Sequence, residues 1–331
     1  MRLLRELDEG HKKKLLSFFG SAYRGSGDHY WSLTKLFCHA TYIPMFLQIG
    51  LKNVEIGRFS ELVYVDTHAG PGLAKIGRRE DEVVLGSPLI ALYWPRIVAE
   101  RVGRFSKIAR GFTKLFFIDK NPENTDILKG LIGGYAANVT VFTGDANQRL
   151  PYIARQIGRG ALVYMFIDPF GSLETHLTFE ALREFVERVQ ADIMMSVLAG
   201  FIARALGGSA SERTRRARAA RLFGGWLCSK EPECTKEARA LCSGGEVKVK
   251  GVLDAYRCML NRLGYRRVEL ISVRFEKGTI YHMMLATRGS GGWIDGYVEY
   301  LSKKAPLDRP KALRNLWLRA YGVQKPLDEF L

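Results

Sequence analysis

The chain has 331 residues, 47% of them hydrophobic and 25% charged, enough apolar material for a sizeable core. Its charge balance is unusual: 50 Lys+Arg against 34 Asp+Glu leave a net +16 and a pI near 9.7, which favours a polyanionic partner, nucleic acid first. No stretch nears the ~20 apolar residues of a membrane span, and Met1–Glu6 lack the apolar core of a signal peptide, so a cytoplasmic chain without membrane contact is expected.

Residues 1–58 read as a helical extension. His11–Phe19 is basic and amphipathic. Trp31–Ile49 carries apolar residues at Leu33, Leu36, Phe37, Tyr42, Ile43, Phe46 and Leu47. That spacing suits one helical face, or two helices broken before Pro44. From 59 to 199, short apolar runs alternate with helical patterns. Strands are expected at Leu62–Asp66, Lys114–Asp119, Val139–Thr143, Ala161–Asp168 and Asp192–Leu198. The fourth is the most apolar and belongs at the centre of a sheet, buried on both faces. Helices are expected from Ser87-Pro88 to about Val102, from Asn121-Pro122-Glu123 onward, over roughly Pro151–Ile157 and over Phe179–Val189. Lys75–Gly86 reads as a loop.

Residues 200–264 read as an Arg-rich helical insertion, a lid or substrate-binding element, closing with a helix at Val249–Leu263. The core resumes over 265–302. There, Val268–Phe275 and Ile280–Thr287 are strands joined by Glu276–Thr279, followed by a helix at Trp293–Leu301. Residues 303–331 form a basic tail with a helix expected at Lys311–Tyr321. Strands alternating with helices at this spacing predict an α/β, doubly wound, mostly parallel sheet with helices on both faces.

In such a sheet a ligand binds at the carboxyl ends of the strands. Four of the expected strands finish on an aspartate or two residues before one: Asp66, Asp119, Asp145 and Asp168. After the first comes Asp66-Thr67-His68-Ala69-Gly70-Pro71-Gly72. Glycines there let the backbone approach a ligand that a side chain would block. A tight turn alone would also need them. Asp119, followed by Lys120, can accept both ribose hydroxyls of an adenosine. Asp145, followed by Ala146, could meet an adenine amino group or cap a helix. Asp168-Pro169-Phe170-Gly171 places a carboxylate and a prolyl carbonyl where they could accept two amine hydrogens, beside a ring that could stack on an extruded base.

These motifs, in this order, resemble class I S-adenosylmethionine-dependent methyltransferases. Within them the chain resembles the three-Cys-motif partner (TcmP) family. It is matched by Trp31–Leu36, Asp66–Gly72, Gly86–Leu92, Gly144–Asn147, Asp168–Gly171, and Tyr281–Thr287 followed by Trp293. The resemblance implies a seven-stranded Rossmann-like methyltransferase sheet with an antiparallel last strand. It implies S-adenosylmethionine as donor and S-adenosylhomocysteine as product. Asp66, Thr67, His68, Ala69, Gly70, Gly72, Asp119, Lys120, Asp145 and Ala146 would hold the donor. Asp168, Pro169, Phe170 and Gly171 would be the catalytic set. His68 stands where the family has Phe, and is expected to pack as an aromatic would. One proline follows Asp168 where amino-methyltransferases have two.

Arg213, Arg215, Arg216, Arg218 and Arg221 spread around one helix, expected to be solvent-rich and to serve as a mobile lid or nucleic-acid arm. Lys12–Lys14 and Lys303–Arg319 add charge. Cys228, Cys234 and Cys242 form no Cys-x-x-Cys pair and are expected to be free buried thiols, with a disulfide or metal site as alternatives; no metal is assigned. The expected function is N-methylation of a nucleic-acid base amine, RNA before DNA, with a protein partner as a further expectation. The alternatives are a catalytically inactive nucleic-acid-binding or partner protein on the same fold, and a Mg²⁺-dependent nuclease.

Overall fold

A computed structural model describes residues 30–75, 83–102, 106–133, 138–170, 173–207, 211–229, 233–243, 246–275, 278–289, 291–305, 307, 309 and 312–313. The expected helix at His11–Phe19, Lys12–Lys14, Gly171 and most of the tail helix lie outside these residues.

The strands are β1 (Glu61–Asp66), β2 (Leu73–Lys75), β3 (Val83–Leu85), β4 (Lys114–Asp119), β5 (Val139–Thr143), β6 (Ala161–Ile167), β7 (Gln190–Val197), β8 (Arg267–Phe275) and β9 (Gly278–Thr287). Seven of them form one sheet in the order β5-β4-β1-β6-β7-β9-β8. All its pairings are parallel except β7–β9 and β8–β9. This is the doubly wound sheet the alternation predicts, with β9 as the antiparallel strand. β6 is buried at all seven positions, as its unbroken apolar run requires of a strand covered on both faces. β2 and β3 pair antiparallel, so the stretch read as a loop carries a small ribbon.

The helices are α1 (Tyr30–Glu55), α2 (Ser87–Val102), α3 (Pro122–Ile132), α4 (Ala146–Gln156), α5 (Phe179–Val186), α6 (Ala199–Gly207), α7 (Glu212–Phe223), α8 (Lys236–Arg239), α9 (Val249–Arg262) and α10 (Trp293–Glu299). Alternation along the strands splits the core in two. Tyr64, Phe117, Tyr164, Phe166 and Met194 meet residues of α1, α2, α3 and α10 on one face. Val63, Val65, Ile118, Val163 and Met165 meet α4, α5, α6, α7 and α9 on the other.

α1 continues through Pro44 as one helix. Proline lacks an N–H and removes one helical bond, but Tyr42, Ile43, Phe46 and Leu47 on either side are at most 2% exposed. Burial of such side chains at roughly 1.5–3 kcal/mol each outweighs one lost bond. α4 starts five residues earlier than the apolar pattern suggests, because Asp145 caps it by accepting from Asn147 N.

The helices of residues 200–264 pack on one face of the sheet and share its core. α7 buries Ala219, Leu222, Phe223 and the side chain of Arg215. The expectation of free thiols fails for Cys228, Cys234 and Cys242: Cys228–Cys242 is a disulfide, the alternative reading, Cys234 pairs with Cys258, and Cys38 is a buried thiol. Cys258 on α9, distant in sequence, supplies the partner that local spacing could not reveal.

Candidate functional site

The carboxyl ends of β1, β4, β5 and β6 lie side by side, with Asp66 in register with Phe166 and Phe117, and Asp119 with Thr143. The turn after β1 needs its glycines: φ is +61° at Gly70 and +87° at Gly72. A Cβ on Gly72 would lie 2.8 Å from Leu128 Cδ1, whereas one on Gly70 would meet nothing within 4 Å. Gly70 therefore faces open space, as a ligand cradle requires. The turn is closed by its own surroundings. Ala69 N–H donates to Ile118 O (2.8 Å) and Gly86 N–H to Gly72 O (2.7 Å). Gly70 N–H donates to Asp119 Oδ2 (2.8 Å).

Asp66 and Thr67 are buried, at 0% and 1% exposure, and support the turn from behind. The Asp66 carboxyl accepts from Tyr64 OH (3.1 Å) and His68 N–H (3.2 Å). Burial pushes it up to about 7, against the hydrogen bonds that favour its ionised form. Ala69 and Ala146 are also buried, and Lys120 is exposed.

Asp119 is more committed than its sequence position suggests. Oδ2 takes Gly70 N–H, and Oδ1 takes Asn121 N–H (2.8 Å) and Asn124 Nδ2 (3.0 Å). A carboxylate has about four acceptor directions. Three are filled, so the expectation that it receives two ribose hydroxyls narrows to one. Asp145 Oδ1 likewise takes Asn147 N–H (2.8 Å) and Nδ2 (3.0 Å). Its capping role is met, and Oδ2 takes part in neither bond.

His68 does more than fill an aromatic position. Its Nε2 lies 2.8 Å from Thr175 O, a carbonyl that can only accept. The proton is therefore on Nε2, and Nδ1 accepts from Thr67 Oγ1 (2.8 Å). Burial holds the ring below its ordinary pKa, which suits this neutral tautomer. The charges of Asp168, Asp119 and Asp145 oppose that shift. Three strand-end acids therefore converge around the turn that follows the fourth.

At the β6 end, Asp168 and Pro169 are buried, whereas Phe170 is 57% exposed. Asp168 Oδ2 is ion-paired and hydrogen-bonded to Lys35 Nζ, a buried lysine on α1 at 4% exposure. The same ammonium lies 4.1 Å from the centroid of the Phe170 ring, within cation–π range. One turn further along α1, His39 is buried and pushed down to about 3 by desolvation. Its Nε2–H donates to Ser87 O (3.1 Å) and its Nδ1 accepts from Tyr164 OH (2.9 Å).

Lys35 is the site residue that motif reading missed. Its signal was present: Lys35 and His39 sit at i, i+4 on a face continued by Tyr42 and Phe46. A lysine on an otherwise apolar face requires a buried partner.

Of the five arginines of α7, Arg215 is buried and Arg213, Arg216, Arg218 and Arg221 are exposed. Arg215 is 7% exposed and donates to Ser243 O (2.8 Å) and Gly207 O (3.2 Å). Arg216 donates to Cys228 O, Arg218 to Ala205 O, and Arg221 to Leu173 O and Glu174 O. Arg213 is exposed. Four guanidiniums thus dock the helix on the chain's own carbonyls. Among the described residues, no group of three or more His, Cys, Asp or Glu is placed to hold a metal ion.

No protein-family model matches the chain, and no curated protein matches it. Solved structures do. Protein LPL1258 from Legionella pneumophila, of family DUF519, is 10% identical with a TM-score of 0.50, over 86% of this chain and 94% of that one. The methyltransferase domain of bacterial CtHen1 is 12% identical with a TM-score of 0.31, over 73% and 96%. A Bacillus cereus O-methyltransferase in complex with SAH is 13% identical with a TM-score of 0.32, over 81% and 95%. At such identities the likeness is one of fold. The strand order and the antiparallel β9 make a seven-stranded, mostly parallel Rossmann-like sheet, the fold shared with LPL1258.

Proposed function

We propose that the chain is an S-adenosylmethionine-dependent methyltransferase acting on a base amine of a nucleic acid, RNA before DNA. The finer family reading remains the resemblance to the three-Cys-motif partner proteins. The observation that carries the function is the glycine turn open at Gly70, set among the adjacent carboxyl ends of β1, β4, β5 and β6 that lead into Asp66, Asp119, Asp145 and Asp168. This arrangement joins a cradle for an adenosine-like donor to a carboxylate for the acceptor.

The residues present fit the donor. Gly70 offers backbone approach, Asp119 one remaining acceptor direction for a ribose hydroxyl, and Asp145 Oδ2 an acceptor for an exocyclic amine. When bound, the donor supplies an activated sulfonium methyl, so the protein's contribution is alignment and exclusion of water. On the acceptor side, Lys35 fixes Asp168 through Oδ2 and leaves Oδ1 to accept one amine hydrogen. The Pro169 carbonyl can accept the other. Two such bonds hold the amine lone pair toward the methyl group. Phe170 offers an exposed ring for stacking. The net +16 suits a phosphate backbone.

The test is transfer of labelled methyl from S-adenosylmethionine into bulk RNA and, separately, DNA, followed by nucleoside analysis of the product. Asp168→Ala should lower transfer roughly 10²–10³-fold, as loss of one preorganised polar contact does, with affinity for S-adenosylhomocysteine retained. Equal loss of both in a folded variant would remove Asp168 from the acceptor site. A methylated ribose oxygen would overturn the amine assignment.

A further inference from the structure

The loop after Phe170 is held in an unusual way. Four consecutive carbonyls each accept from a side chain brought by another element. Leu173 O and Glu174 O take Arg221 of α7, at 2.9 and 3.1 Å. Thr175 O takes His68 Nε2 from the β1 turn, at 2.8 Å. His176 O takes Asn147 Nδ2 from α4, at 3.3 Å. Asn147 Oδ1 also accepts Thr178 N–H, at 2.7 Å. Within the loop, Thr175 Oγ1 donates to Phe170 O at 2.5 Å, so the row sets the backbone that carries the exposed ring.

The insertion also presses on the far end of this loop. Gly224, just past α7, has φ of +93°, and a Cβ there would lie 2.7 Å from Phe179 Cδ1 at the start of α5. Two separate contacts therefore tie α7 to the acceptor loop. His68 and Asn147 tie the same loop to the turns assigned to the donor.

We infer that Arg221 is a positioning residue for the acceptor loop and that this row of carbonyls couples the donor turns to the insertion. The inference rests on the donor reading above. A ligand that orders His68 and Asn147 orders Thr175 and His176. That order reaches α7 through Leu173, Glu174 and the Arg221 guanidinium. In the other direction, whatever the outer face of α7 contacts acts on Phe170 through the same two bonds. Lysine at 221 could make one of these bonds, and glutamine at 221 could not span both carbonyls.

The test is hydrogen exchange of the full chain with and without S-adenosylhomocysteine, in wild type, Arg221→Gln and Arg221→Lys, with calorimetric affinity measured alongside. In wild type, the ligand should slow exchange in residues 173–178 and in the last turn of α7, by about fivefold or more, the low end of site-to-site coupling. Arg221→Gln should bind the ligand as wild type does and keep the slowing at 173–178, but lose it in α7. Arg221→Lys should restore part of it. A role in folding alone would shift baseline exchange without removing the ligand's effect on α7. Ligand binding with no slowing of α7 in wild type, or the same slowing in Arg221→Gln, would overturn the coupling and leave the donor reading standing. No ligand binding in folded wild type would overturn both.

Discussion

The turn after β1, proposed for the donor, and the loop after β6, proposed for the acceptor, lie side by side at the carboxyl end of the sheet but are fastened differently. The turn after β1 is fastened by its neighbours in the sheet: Ala69 to Ile118, Gly70 to Asp119, Gly72 to Gly86. The loop after β6 is fastened by side chains carried in by α1, the β1 turn, α4 and α7. Lys35 supports the second region alone, so breaking its pair should leave the β1 turn intact, whereas His68 joins the two regions.

The largest effect belongs to the buried pair on the acceptor side. Lys35→Met leaves Asp168 buried without its counter-charge, which should cost about 3–5 kcal/mol. Chemical denaturation of Lys35→Met, Asp168→Asn and the double variant measures it. The double variant should recover most of the loss, because two neutral groups carry no unpaired charge. Additive losses would mean that the pair is not an energetic unit.

Next come the two disulfides. Their sequence separations of 14 and 24 residues correspond to roughly 3 kcal/mol each in the chain-entropy account. Reductant should lower the melting temperature while calorimetric affinity for S-adenosylhomocysteine stays within error, since no donor residue lies in the insertion. Donor affinity that falls in step with reduction would erase the distinction between the two sides.

The smallest effect is on the donor side. The Asp66 carboxyl rises from 3.8 to about 7 on folding, so the folded state holds its proton more tightly than the unfolded state does. Its contribution is fully present below about pH 4 and is lost as pH rises through 7. Asp192 shifts the same way, to about 6. Asp66→Asn should therefore flatten part of the fall in melting temperature between pH 5 and 8, on the order of 2 kcal/mol, and Asp192→Asn another part. A pH profile unchanged in Asp66→Asn would remove Asp66 as a titrating group.

This contrast also explains what could be read from the sequence. Strands β1, β4, β5 and β6, their terminal aspartates and the need for Gly70 and Gly72 follow from local patterns, because period, turn chemistry and strand ends are properties of neighbouring residues. The acceptor loop's supports do not. Lys35 lies 133 residues from Asp168, His68 lies 107 from Thr175, and Arg221 lies 48 from Leu173. The spacing of the α7 arginines shows charge and not where each guanidinium ends. Only the fold shows that four of them end on carbonyls. The cysteine pairing is hidden for the same reason, since Cys258 is 24 residues from Cys234 and lies on α9.

The most direct test of the account is calorimetric titration of the purified, ligand-free protein with S-adenosylmethionine and S-adenosylhomocysteine, beside Asp119→Ala. The account predicts micromolar binding to wild type that Asp119→Ala loses while keeping its fold. No binding by folded wild-type protein would contradict it, leaving a nucleic-acid-binding scaffold on a methyltransferase fold as the reading to pursue.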